Sequence, residues 1–269
     1  MTRIEERFER LRREGRKAFI PYLTAGDPTL EITRDLVIAL DKAGADVVEL
    51  GVPFSDPIAD GPVIQRGTER ALAAGSGLRK VLGLGAEIRK QSQVPLLLMS
   101  YYNPLFNYGL ERLAKDLAQS GFDGILATDL TVEESDEYSR LMRGAGLNTI
   151  FLAAPTSSPE RMKKIAQASS GFLYAVSRTG VTGERQELDS DLQDFLQALR
   201  KHTSVPIAVG FGVSRPEHVR SVWQSADGAI VGSAIVREIE KNIGKPDLVE
   251  RVAAFAGWLS HPDEKSLPV

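Results

Sequence analysis

Cysteine is absent from the 269-residue sequence. Disulfides, iron–sulfur clusters, thiolate zinc sites and a thiol nucleophile are thereby excluded. Histidine is scarce: His202, His218 and His261 are the only three, scattered and without H-E-x-x-H spacing. No metal site is therefore expected. Basic charge is not in excess, with 33 Lys+Arg against 36 Asp+Glu and a net charge of −3. A nucleic-acid binder would normally present a basic face, so no nucleic-acid partner is expected. No apolar run approaches the roughly 20 residues that span a bilayer, and no membrane partner is expected either. The opening Met1-Thr2-Arg3-Ile4-Glu5-Glu6-Arg7-Phe8 is too acidic for a signal or transit peptide, so the expected compartment is the cytoplasm.

What the sequence does have is regular alternation. Short apolar runs predict strands at Ala18–Leu23, Val47–Leu50, Leu96–Ser100, Gly124–Thr128, Asn148–Leu152, Gly171–Val176, Ile207–Gly210 and Gly228–Val231. Most are apolar on both side-chain parities, as parallel strands covered on both faces require. Helical periodicity predicts helices over Leu30–Ala43, Ile64–Ala74, Leu78–Lys90, Leu110–Gln119, Val132–Arg143, Pro159–Ala168, Leu192–Lys201, Pro216–Gln224 and Leu248–Leu259. Thr131 with Glu134 has capping-box spacing, and Pro159 and Pro216 suit a first helical turn. Hydrophobic residues make up 42%, enough for a large core. Eight strands alternating with helices imply an α/β fold, a closed (β/α)8 TIM barrel, in one domain over residues 1–269. An extra N-terminal helix, Arg3–Arg13, precedes the first strand and could cap the barrel bottom. A doubly wound open sheet is the alternative, but no G-x-G-x-x-G follows the first strand.

Active sites of such barrels lie at the C-terminal strand ends. The second strand ends Val47-Val48-Glu49-Leu50-Gly51. A carboxylate inside an apolar run is costly unless satisfied or used, and desolvation raises its pKa toward the range for proton transfer. The alternative is a Glu paired with a buried Lys or Arg. The next loop, Val52 to Pro62, carries three prolines and two carboxylates, Asp56 and Asp60. It reads as stiff, with Phe54 and Ile58 exposed. A carboxylate near Glu49 would complete an acid/base pair, whereas turn chemistry or helix capping is the plain reading of each Asp. Glycine turns follow the seventh strand (Gly210-Phe211-Gly212) and the eighth (Gly232-Ser233), where this fold often binds phosphate. The polar, Gly-containing stretch after Tyr174, through Thr182 and Gly183, reads as a lid. Asp129 at the end of the fourth strand reads either as a substrate-orienting group or as a cap for the helix from Val132.

The segment from Glu49 to Pro62 (ELGVPFSDPIADGP) closely resembles the signature of the tryptophan synthase α-subunit family. Tyr22–Pro28 (YLTAGDP), Ser177–Gly183 (SRTGVTG), Gly210–Gly212 and Gly232-Ser233 resemble it in the same order, across essentially the whole chain. The resemblance implies a lyase that cleaves indole-3-glycerol phosphate to indole and glyceraldehyde 3-phosphate in tryptophan biosynthesis. It implies no cofactor in this chain and a pyridoxal-phosphate-dependent β subunit as partner, in an α2β2 heterotetramer. Glu49 and Asp60 would be the catalytic pair, with Tyr174 beside them. Tyr22, Ile64, Tyr101, Asp129 and Thr182 would contact the substrate, and Gly183, Phe211, Gly212, Gly232 and Ser233 would hold its phosphate end. Pro53, Phe54, Asp56, Pro57, Ile58, Asn103 and Pro104 would face the partner. Thr131 stands where the family usually has Pro, and Tyr22 where many members have Phe. A stand-alone indole-releasing lyase and a non-catalytic activator of a β subunit are the alternative functions.

Overall fold

The computed structural model describes residues 1–176, 190–210 and 212–262. The chain runs α1 (Arg3–Arg13), β1 (Ala18–Thr24), α2 (Leu30–Lys42), β2 (Val48–Gly51), α3 (Pro62–Ala73), α4 (Leu78–Arg89) and β3 (Leu96–Ser100). It continues through α5 (Tyr102–Tyr108), α6 (Leu110–Gln119), β4 (Gly124–Ala127), a 3₁₀ turn (Val132–Glu134), α7 (Asp136–Gly144), β5 (Asn148–Ile150) and β6 (Leu152–Ala153). α8 (Pro159–Ala168), β7 (Leu173–Val176), α9 (Ser190–Arg200), β8 (Ile207–Gly210), α10 (Pro216–Ser225), β9 (Gly228–Val231), α11 (Ser233–Asn242) and α12 (Leu248–Ser260) complete it. Every expected strand is present, and all pairings are parallel.

The fifth expected strand is broken at Phe151 into β5, which pairs β4, and β6, which pairs β7. The sheet order runs from β5 through β1 round to β6. One residue therefore joins the two ends of the sheet, and the Tyr174 N–H bonds the Phe151 carbonyl at 3.1 Å across that seam. This is the (β/α)8 TIM barrel with an extra N-terminal helix.

Strand alternation builds two cores at once. Inward positions, among them Ile20, Val47, Leu97, Leu126, Ile150, Phe172 and Ile230, fill the barrel. Outward positions, among them Phe19, Val48, Leu50, Leu98 and Ile125, pack under the helices. α1 closes the bottom by adding Ile4, Phe8 and Leu11 to the inner core. Its start is a capping box of Thr2 and Glu5, and Glu5 also accepts from the Asn148 side chain at 2.9 Å. Three aspartates at the bottom pin the strand register. Asp46, Asp123 and Asp227 accept the N–H groups of Phe19, Leu96 and Ile207, each at 2.9 Å. Arg7 binds Asp46, Arg89 binds Asp123 and Lys17 binds Asp227.

Two local expectations change. The helix expected over Val132–Arg143 is a 3₁₀ turn followed by α7. The Thr131 hydroxyl donates to the Glu134 carboxylate at 3.1 Å rather than capping backbone N–H groups. An unforeseen helix, α5, follows β3 directly.

Candidate active site

Val47 points into the barrel, so strand parity sends Glu49 inward as well, at the C-terminal end of β2. Glu49 is 1% exposed, and its Oε1 has no hydrogen-bond partner among the described residues. Burial, and secondly the charge of Asp60, push its carboxyl up to about 8. It therefore carries a proton at neutral pH, which suits a general acid.

Asp60 lies in the loop between β2 and α3, half-buried. The Tyr101 hydroxyl accepts the Ala59 N–H at 2.9 Å, which holds it near the Asp60 carboxylate. The side chain of Gln65 binds the Asp60 carbonyl at 2.8 Å, tying this loop to α3. Burial raises the Asp60 carboxyl, and the polar Tyr101 hydroxyl nearby opposes that rise. Nothing comparable relieves Glu49. The two environments differ in the direction that separates an acid from a base.

Three phenols surround the pair. Tyr22 is the β1 register partner of Glu49 and shares a 3.3 Å hydrogen bond with Thr24. Tyr101 is buried at the end of β3, and burial pushes its hydroxyl up to about 12. Tyr174 stands on β7, raised well above the ordinary phenol range by burial and then by the charge of Glu49. Glycine makes room for two of these rings. A Cβ at Gly51 would overlap the Tyr22 hydroxyl, and one at Gly210 would overlap that of Tyr174. Ile64, on the first turn of α3, packs with Tyr22 and Val236 at the barrel mouth.

Adjacent strands β8 and β9 carry the glycine turns. Gly212 has φ +74°, a conformation that glycine adopts at little cost. Gly232 caps α11 without a side chain, so the N–H groups of its first turn face outward with their partial positive charge. Phe211, Thr182, Gly183 and the expected lid lie outside the described residues.

The proline-rich loop differs from expectation at Phe54. Its ring is half-buried and packs at a 37° tilt against that of Tyr101, with centroids 5.4 Å apart, because that ring offers it apolar cover. Ile58 is 86% exposed, Asp56 and Asn103 are exposed, Pro57 and Pro104 are half-buried, and Pro53 is buried. Phe106 on α5, not singled out in the sequence, is 62% exposed on the same side as Asn103. Asp129 is exposed and accepts the Tyr102 N–H at 2.6 Å. It thus caps α5 rather than the turn at Val132.

A desolvated acid beside a second carboxylate, at the C-terminal rim of a (β/α)8 barrel, defines an acid–base enzyme of the TIM-barrel class. Comparison with known proteins makes this specific. The family model described as "Tryptophan synthase alpha chain" matches residues 8–261. The tryptophan synthase alpha chain of Solibacter usitatus is 53% identical over 255 residues, covering 95% of this chain and 96% of that one. A crystal structure of tryptophan synthase subunit alpha from Legionella pneumophila superposes with a TM-score of 0.90 at 39% identity, over 97% of this chain and 98% of that one. A chain from the Pyrococcus furiosus tryptophan synthase a2b2 complex gives a TM-score of 0.84 at 41% identity, over 90% and 97% respectively. The chain belongs to the tryptophan synthase alpha chain family.

Proposed function

We propose that Glu49 and Asp60 carry the lyase reaction of this family member, the cleavage of indole-3-glycerol phosphate to indole and glyceraldehyde 3-phosphate. The protonated Glu49 donates to the indole carbon that bears the side chain, while Asp60 takes the proton from the ring nitrogen. The resulting indolenine is an electron sink. Glu49, now a carboxylate, removes the proton of the neighbouring side-chain hydroxyl. The carbon–carbon bond breaks, its electron pair restores the aromatic ring, and Asp60 returns the nitrogen proton. Every proton that leaves one carboxyl is recovered, so the pair resets itself. Tyr174 and Tyr22 wall the ring, with Ile64 and Tyr101 beside it. Gly212, Gly232 and Ser233 hold the phosphate. Binding at that remote end fixes the reacting bond near the carboxylates.

The observation that carries this reading is the desolvated Glu49 next to Asp60, its Oε1 without a partner among the described residues. The exposed Ile58, Asp56 and Asn103, with half-buried Pro57 and Pro104, support a face for a pyridoxal-phosphate-dependent β subunit in an α2β2 assembly. Pro53 and Phe54 form its base. Asp129 acts at the edge of this site, through the end of α5. We read residues 1–269 as one barrel domain working in the cytoplasm. Among the described residues no helix is long and apolar enough to cross a membrane.

The test is indole release from indole-3-glycerol phosphate, with and without a matching β subunit. Slow release alone and faster release with the partner is the expected result. Fast release alone would mark a stand-alone lyase. No release, with the β subunit still activated, would remove Glu49 and Asp60 from their roles.

A further inference from the structure

The substrate proposed above has two ends, and two different helices hold them. Asp60 is tied to α3 through Gln65, whereas the phosphate turn opens α11. An ion cluster joins these helices. Glu240 on α11 accepts from Arg66 at 2.7 and 2.8 Å and from Arg70 at 2.9 Å, both on α3. Arg70 also grips Asp27 with two bonds of 2.8 Å, and the Asp27 side chain is fully buried after β1. Between the two arginines sits Gly67. A Cβ there would come within 2.9 Å of the Asp27 carboxylate and 3.0 Å of Val236 on α11. The helices are thus in direct contact at this point.

We infer that the Arg66–Arg70–Glu240 cluster is a positioning device that sets the span between Asp60 and the phosphate-binding turn of α11. This inference rests on the function proposed above. The two guanidiniums hold the Glu240 carboxyl at about 2, so the cluster stays charged at any working pH. Its members are partly exposed, and such pairs add little to stability. What they fix is distance. An ion cluster that only stabilised the fold would affect each end of the site and the whole substrate alike. One that sets the span matters only to a ligand that bridges both ends.

Glu240→Gln tests this, because it loosens the α3–α11 link and leaves the buried Asp27–Arg70 pair intact. Three quantities are measured: kcat and KM for indole-3-glycerol phosphate, the inhibition constant of glycerol 3-phosphate, and that of indole. We expect kcat/KM to fall on the order of tenfold, mostly in kcat, since small misplacements of reacting groups are costly. Both fragment constants stay unchanged, and Glu240→Asp recovers part of the loss. Unchanged kcat/KM overturns the inference, as does a parallel weakening of either fragment. If the parent chain itself fails to cleave the substrate, the functional reading falls and takes this one with it.

Discussion

Replacing Glu49 by Gln should stabilise the protein at alkaline pH, and by an amount that grows with pH. Burial and the charge of Asp60 lift the Glu49 carboxyl from 4.5 to about 8. Below the lower value, folded and unfolded chains both carry the proton, and the residue costs nothing. Between the two values the folded chain keeps a proton that the unfolded chain has released, so stability falls as pH rises. Above the upper value the folded carboxyl ionises and the cost is complete. At about 1.4 kcal/mol for each pH unit, that span amounts to about 5 kcal/mol as an upper bound. Gln matches the protonated acid in shape and never ionises. Wild type and Glu49→Gln should therefore melt together near pH ~5 and diverge by pH ~9, the variant melting higher. In a chain of this size each kcal/mol moves the midpoint by roughly 2–4 °C, so the full gap approaches roughly 10 °C or more. Thermal melts across that range decide it. A gap that is constant with pH would refute the claim that Glu49 holds a proton in the folded state.

Other outcomes follow from the same geometry. Asp60→Asn should cut turnover by about 10²–10⁴-fold, and it should lower the pH at which the Glu49 effect is complete, since one charge that opposes ionisation is gone. Tyr101→Phe keeps the ring contact with Phe54 but loses the Ala59 bond and the hydroxyl near Asp60, and steady-state kinetics should show a loss worth about 1–3 kcal/mol in kcat/KM. Gly210→Ala should destabilise by about 1–3 kcal/mol through overlap with Tyr174, and adding Tyr174→Leu should restore stability without restoring turnover. Ile58→Glu with Phe106→Glu should leave the melting temperature of the isolated chain in place and abolish stimulation by the β subunit, read as indole release with and without it.

Much of the fold is legible from one property of the chain. A strand covered on both faces is apolar at every position, and such runs of four to seven residues stand out. Glu49 is legible for the same reason, as a charge where none is tolerated without cause. Features that depend on distant partners are not. The break at Phe151 occurs inside a continuous apolar run and exists because two strands must be met at different registers. α5 is short, contains Pro104 and has no periodic stripe, and its first N–H is satisfied by Asp129, which lies 27 residues away. Phe54 reads as exposed because its cover, Tyr101, belongs to another loop. The link from Arg70 to Glu240 spans 170 residues, and each partner alone looks like ordinary surface charge.

The helix that closes the barrel bottom has an awkward history in every molecule. α1 is made before every strand of the barrel, yet its seat is assembled from residues as late as Phe172, whose ring lies 5.7 Å from that of Phe8, and Ile230. At bacterial and eukaryotic rates of synthesis, the stripe Ile4, Phe8 and Leu11 waits on the order of tens of seconds for a partner. During that interval the segment, 11 residues long, is too short to hold a stable helix by itself, and its apolar side chains have no cover. The stopper is made before the vessel, and the cell must keep it clean until the last staves arrive.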